Sequence, residues 1–494
     1  MSAADATSLT SAASAGRERE RSQEPFERVS PLLRAALLIG SGGGFLLAAV
    51  LTVTQALRLP AGNWWSALVQ AHGHLQLYGW AALFVIGVSF HFLPRLRGTA
   101  LPLPRLVPWI LGLQVGGLLL RVLAQPLLAL TGTVPLLWRS VLVVSGGSEG
   151  LALVLAAAEY LLLLLRGPAL STRKAFLGIA PFISLAALAL GAAAILNLVN
   201  MLQAATQAGL APQPGDELNI SLGLFGFLIP FALAVSAQSL PMYAGLEAFP
   251  RPILWPLAGG YELGLLLLCL GLGLGEGADP ASAPVAWPLR FLEGPGLLLM
   301  GGVIAGFVAI FISMMRRRGR LPTHVAALSP APEALARSYR RHTVQQNQAY
   351  GPFVALIASA YLWAFFSALL LISAGLILLW GSPLPFSLDA ARHGLAMGFI
   401  TLLICGIAPR MVPGFSGSRI ATPQLVAATL WLGNLATVLR IFPLLLAAPL
   451  GSLWSGNPLL LSLLFGLSGP TGLATIVCLA CNLWPALRNG RENV

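Results

Sequence analysis

A chain of 494 residues that is 57% hydrophobic and only 9% charged cannot be a soluble globule, because such proteins carry about a quarter charged residues. Its net charge of +12 comes from arginines dispersed among short connections, which speaks for membrane topology and against a nucleic-acid-binding domain. Residues 1–30 are Ser/Ala-rich and then charged, with no apolar core of the kind a signal peptide needs, and predict a disordered tail. Residues 31–488 then read as one transmembrane domain. Apolar runs long enough to cross hydrocarbon, about 20 residues each, lie at about 33–57, 69–94, 105–128, 137–165, 175–202, 218–243, 252–275, 289–315, 351–380, 389–412, 422–448 and 457–486. Runs this continuous are helical, since a membrane barrel shows shorter segments of alternating polarity. The predicted fold is therefore an all-α polytopic bundle of about twelve transmembrane helices. Between the eighth and ninth runs lies a polar loop, 316–348, with a short amphipathic helix expected around Pro332–Arg341. Residues 489–494 form a polar C-terminus.

Arginines concentrate in the even-numbered connections, from Arg95, Arg97 and Arg105 through Arg316, Arg317 and Arg318 to Arg410 and Arg419, and in both tails. Both termini and all even connections are thus expected on the cytoplasmic side. The four cysteines, Cys269, Cys405, Cys478 and Cys481, fall inside predicted spans and read as packing residues.

The second and tenth runs repeat each other. From His74 the chain reads H-x4-G-x7-G-x6-P-x3-G through Gly79, Gly87, Pro94 and Gly98, and from His393 it does so through Gly398, Gly406, Pro413 and Gly417. Each pair is separated by 319 residues, as are Arg121 and Arg440 in the following runs. A fainter copy at an offset of 147 contains Ser221, Gly226, Pro241 and Gly245, with serine replacing the histidine and Ala234 the second glycine. The copies start on the second, sixth and tenth spans, which predicts three pseudo-repeated arcs of four helices.

Imidazoles at repeat-equivalent depth suit a metal or haem held between helices. His74 and His393 are the candidate axial pair. His72 precedes His74 by two positions and points about 200° away on a regular helix, so the two cannot face one partner. His72 is therefore a candidate second-site or alternate ligand. The plain alternative for all three is an interfacial histidine bonded to backbone. His91, about 25 Å further along the helix and beside Arg95, reads as a snorkelling surface residue; His324 and His342 belong to the polar loop. A guanidinium within a span needs an anionic or polar partner; Arg121 and Arg440 would suit haem propionates, an intramembrane carboxylate such as Glu149 or Glu262, or snorkelling to the interface. Those two acids could equally relay protons.

The run HGHLQLYGWAALFVIGVSFHFLPRLRG, from His72 to Gly98, resembles the H-x-H-x4-G…P…G signature of NnrS proteins. RHGLAMGFITLLICGIAPRMVPGFSG, from Arg392 to Gly417, resembles their later H-A-L-x-x-G…R…G element. The resemblance implies a twelve-span protein of the bacterial inner membrane containing b-type haem, one or two groups, and copper, linked to the response to nitric oxide. It fixes neither a reaction nor catalytic residues. The family's second element usually ends Gly-His-Thr-Gly, whereas here Gly414 is followed by Phe415, Ser416 and Gly417, which removes one nitrogen donor and weakens the case for copper. A more distant likeness is to the catalytic subunit of haem–copper oxidases and nitric oxide reductases. Those enzymes carry histidine clusters on helices six and seven, and this chain has none there, which argues against a terminal oxidase. Any haem is non-covalent, because Cys478-Leu479-Ala480-Cys481 is followed by Asn482 and not by histidine.

Expected partners are the lipid bilayer, haem, and nitric oxide or an electron-transfer protein. Two other classes compete: a repeat-built transporter for a metal or small anion, and a cofactor-free accessory subunit of a respiratory oxidase packing through small-residue faces such as Gly40–Gly44.

Overall fold

The computed structural model describes residues 26–130, 135–244, 246–275, 284–317, 348–451 and 458–488, with scattered positions in 278–282 and 331–346. The 1–25 part of the expected tail, residues 489–494, His324, His342 and much of the segment around Pro332–Arg341 lie outside the described residues. Residues 26–30, expected in the tail, are helical.

Among the described residues twelve helices are long and apolar enough to cross a membrane: α1 (Phe26–Ala56), α2 (Asn63–Arg97), α3 (Pro104–Leu130), α4 (Pro135–Leu165), α5 (Lys174–Thr206), α6 (Gln213–Ala244), α7 (Arg251–Leu274), α8 (Leu289–Arg316), α9 (Phe353–Leu379), α10 (Asp389–Ser416), α11 (Pro423–Leu446) and α12 (Leu459–Arg488). No strand occurs among these residues. The chain is a multi-pass helical membrane protein.

Helices α2, α6 and α10 are central. Protein covers 89%, 78% and 83% of their most apolar windows, against 33–56% for the other nine. They touch one another, while α1, α3, α4, α5, α7, α8, α9, α11 and α12 close around them. These are the helices on which the sequence repeat starts, and the glycine spacing has a mechanical cause. A Cβ at Gly79 would lie 2.6 Å from Ile39 of α1, one at Gly226 would lie 2.6 Å from Ala189 of α5, and one at Gly398 would lie 2.6 Å from Trp363 of α9. Each repeat thus packs its central helix against the helix preceding it. Lipid gives no hydrophobic drive between helices, so contact this close is what holds them together. The last glycine of the motif ends the helix: Gly98 and Gly417 take left-handed φ of 73° and 70° as C-caps of α2 and α10, a conformation that costs a glycine little.

The backbone repeats as well. In α2 the segment Leu75–Ala82 is π-helical, in α10 Gly394–Thr401, and in α6 Leu222–Leu228. These fall at the same offsets of 319 and 147 as the residue motif. Inserted π turns loosen the regular ladder and are frequent at functional sites. A further π turn, Gly40–Phe45, interrupts α1 next to α2.

Candidate functional site

The H-x-H pair divides between two polar clusters on different sides of α2. On one side, His72 Nδ1 donates to the Gly44 carbonyl at 2.9 Å. That carbonyl belongs to the π turn of α1, where the lack of side chains lets α2 approach: a Cβ at Gly44 would lie 3.0 Å from Gln76. On the other side, His74 Nδ1 lies 3.3 Å from Glu149 Oε2 of α4. The opposed directions expected from helical geometry are therefore present.

The cluster around His74 is sealed. His74 is 1% exposed, and Arg121, Glu149, Asn197 and Gln125 are fully buried. Arg121 Nη1 donates to Asn197 Oδ1 at 2.8 Å and stands 4.0 Å from Glu149 Oε2, while its Nε donates to Gln125 Oε1 at 3.0 Å. Gln125 passes the network to Gln70 at 2.8 Å, which in turn bonds the backbone of Ala211 before α6. Ser145 Oγ donates to the Gly117 carbonyl at 2.9 Å and lies 3.3 Å from Glu149 Oε1. Asp216, in the first turn of α6, is within electrostatic reach of His74 and Arg121. Tyr78, whose ring centre is 5.1 Å from that of His74, donates to the carbonyl of Asn219 at 3.0 Å. This is the carboxylate pairing offered for Arg121 by the sequence: two opposite charges with enough hydrogen bonds to offset their removal from water. Four buried atoms of the cluster, His74 Nε2, Arg121 Nη2, Asn197 Nδ2 and Asp216 Oδ1, have no protein partner.

The cluster around His72 is open. His393 Nδ1 donates to the Asp389 carbonyl one turn earlier, at 2.8 Å. His72 and His393 are within electrostatic reach of one another, and Arg440 reaches both. Both imidazoles are half-buried. Because a carbonyl can only accept, both Nδ1 atoms carry the proton and both Nε2 atoms keep a free lone pair. This backbone restraint on the ring is the one that orients imidazoles bound to metals. Arg440 lies 4.3 Å over the ring of Phe465, and its buried Nε has no partner. Arg392, next to His393, is held by Asp389 at 3.2 Å and Glu217 at 3.8 Å.

Symmetry in the sequence pairs His74 with His393, whereas electrostatic proximity associates His393 with His72. Trp80 Nε1 donates to Thr401 Oγ1 at 3.2 Å, tying α2 to α10 one to two turns beyond the histidines. Among the described residues no group of three or more His, Cys, Asp or Glu side chains could hold a metal ion. Two imidazoles and a guanidinium are nevertheless the donor set of a bis-imidazole haem with a propionate partner, and in donor chemistry the open cluster fits that group.

His91 is not at the surface. It is 3% exposed, with its ring 5.4 Å from Phe26 and 4.3 Å from Phe415. Helix α2 runs on to Arg97, and α1 begins early enough for Phe26 to cover the ring. Phe415, where the resembled pattern has histidine, thus fills an aromatic contact. Glu262 is half-buried in α7, with no hydrogen bond or ion pair among the described residues. The four cysteines are free, and Cys481 is exposed. Sequence reasoning missed Asn197, Gln125, Gln70 and Asp216. The available signal was an amide or acid inside or at the start of an apolar span, which is costly unless paired.

No protein-family model matches the chain, and no curated protein matches it either. Fold and site together define a polytopic α-helical membrane protein built on three central helices, with a sealed charge cluster and an open imidazole cluster flanking α2.

Proposed function

We propose that this chain is a membrane-embedded b-type haem protein of the NnrS kind, in which His72 of α2 and His393 of α10 would hold the haem and Arg440 would offset its negative charge. The observation that carries the proposal is a matched pair of half-buried imidazoles, each fixed through Nδ1 by a backbone carbonyl and each with Nε2 free. Haem bound by two imidazoles supplies a one-electron couple and leaves no open iron position for a substrate, so the role is haem-linked redox or tolerance of nitric oxide. In this reading the chain's own residues orient the ligands, and Arg440 offsets negative charge beside them. His74 has a structural part, holding α2 to α4 through Glu149. The distribution of arginines supports an orientation with both termini cytoplasmic; in the bacterial inner membrane that the resemblance implies, the cluster would lie on the periplasmic half. Copper has no place in this proposal, since the open cluster offers only two nitrogen donors.

The test is an absorption spectrum with haem extraction on the purified full chain. A Soret band and extractable haem b, lost in His393→Ala, support the proposal; a colourless, well-folded preparation refutes it.

A further inference from the structure

A second site lies where α6, α7, α8, α9 and α10 meet, joined to the open cluster through Arg392, the neighbour of His393. It contains a cavity of about 40 Å³, room for about three waters. Its polar lining is Glu217 and Ser221 of α6, Glu293 of α8 and Arg392 of α10. The lining contributed by α7 and α9 is apolar or glycine, including Leu268, Leu272, Gly275 and Leu371. Ser221 occupies the position in the second repeat copy that holds histidine in the other two. It is 1% exposed, and its Oγ has no protein partner.

Charge in this site is unbalanced. Arg392 is the cation facing the cavity, and it is already engaged by Glu217 and Asp389. Glu293, 5% exposed, has no ion pair among the described residues. It is packed so closely on α7 that a Cβ at Gly271 would lie 2.3 Å from its Cγ. The two carboxyl groups that line the cavity, Glu217 and Glu293, thus face one guanidinium, which Asp389 at the rim also engages. An isolated carboxylate is too costly to bury in its ionised form and takes up a proton instead. A like charge across a small cavity drives it the same way. Glu217, whose side chain is 32% exposed at the start of α6, gives access to solvent at that end of the bundle. The Ser221 hydroxyl can both donate and accept along the route.

We propose that Glu293, Glu217 and Ser221 form a proton-binding site: a proton from bulk water enters past Glu217, crosses the hydrated cavity and is held on the Glu293 carboxyl. The transfer is of a proton alone, from water to a carboxylate, with no electron moved. One residue before Glu217, Asp216 faces His74 and Arg121. The first turn of α6 therefore stands between this site and the sealed cluster.

The experiment is infrared spectroscopy on the full chain in lipid nanodiscs, following the protonated-carboxyl band as pH is varied. The wild type minus Glu293→Gln difference should show that band at neutral pH. Glu217→Gln should move its midpoint to lower pH by removing a like charge, and Arg392→Gln should move it to higher pH. Absence of the band from the difference between about pH 5 and pH 9, a span that reaches the values of buried glutamates, overturns the proposal. So does a midpoint that Glu217→Gln leaves unchanged, a readout that remains if Glu293→Gln fails to fold. The measurement requires no haem, so its outcome is separate from that of the ligation proposed above.

Discussion

His72 and His74 are two residues apart on one helix, yet they belong to different chemistries. His74 contacts a carboxylate that also faces a guanidinium, all with 1% exposure or less. His72 is held by a backbone carbonyl, is half-buried, and looks toward another imidazole and an arginine with an unbonded Nε. Their two arginines are related by the same offset of 319. At that offset Glu149 corresponds to Ser468, so the cation occurs in both arcs but an acid at the Glu149 position in only one; the acid within electrostatic reach of Arg440 is Asp389, at another position. The repeat conserves backbone devices, namely the glycine approach, the π turn and the left-handed cap. Side chains laid over those devices distinguish a structural cluster from one open to a ligand.

Variants that break this contrast should differ in magnitude. The largest effect is expected for Glu149→Ala, which leaves Arg121 buried without its anion; losing one partner of such a pair costs about 3–5 kcal/mol, read from the unfolding midpoint in detergent. Gly79→Ala should cost less. A methyl group there must displace Ile39, and overpacking of this kind costs about 1–3 kcal/mol; Gly398→Ala, against Trp363, should behave alike if the repeat packs as described. Trp80→Phe removes the bond to Thr401 between α2 and α10 and should lower stability by about 0.5–1.5 kcal/mol. Arg440→Gln is expected to be the mildest for folding, within about 1 kcal/mol as for other partly exposed charges. It should nevertheless reduce haem retention, measured as haem per protein after chromatography. Equal destabilisation by Glu149→Ala and Arg440→Gln would erase the distinction between the clusters.

Much of this was legible in the sequence because bilayers impose simple rules. All twelve spans were visible as apolar runs, and the three-arc plan was visible in the spacing of His, Gly and Pro. The ends were less so: α1 starts at Phe26 and α2 at Asn63, several residues before their apolar runs, because polar and aromatic residues continue a helix beyond hydrocarbon. His91 was misjudged for that reason. Its neighbour Arg95 suggested an exposed helix end, whereas Phe26 and Phe415 enclose the ring. The pairing of Arg121 with Glu149 was one of several readings open from sequence, and it needed packing to bring the two side chains together. Asn197 and Asp216 have no motif, since their role depends on α5 and α6 meeting α2 and α3. Which histidine stands with His393 also depends on direction around the helix, and a repeat offset cannot supply that.

The most direct measurement is the Soret absorbance of His72→Ala beside that of His74→Ala, with both proteins purified as the full chain and normalised to folded protein. The account predicts that the band is lost when His72 is replaced and retained when His74 is replaced. Loss with His74→Ala and retention with His72→Ala would contradict it.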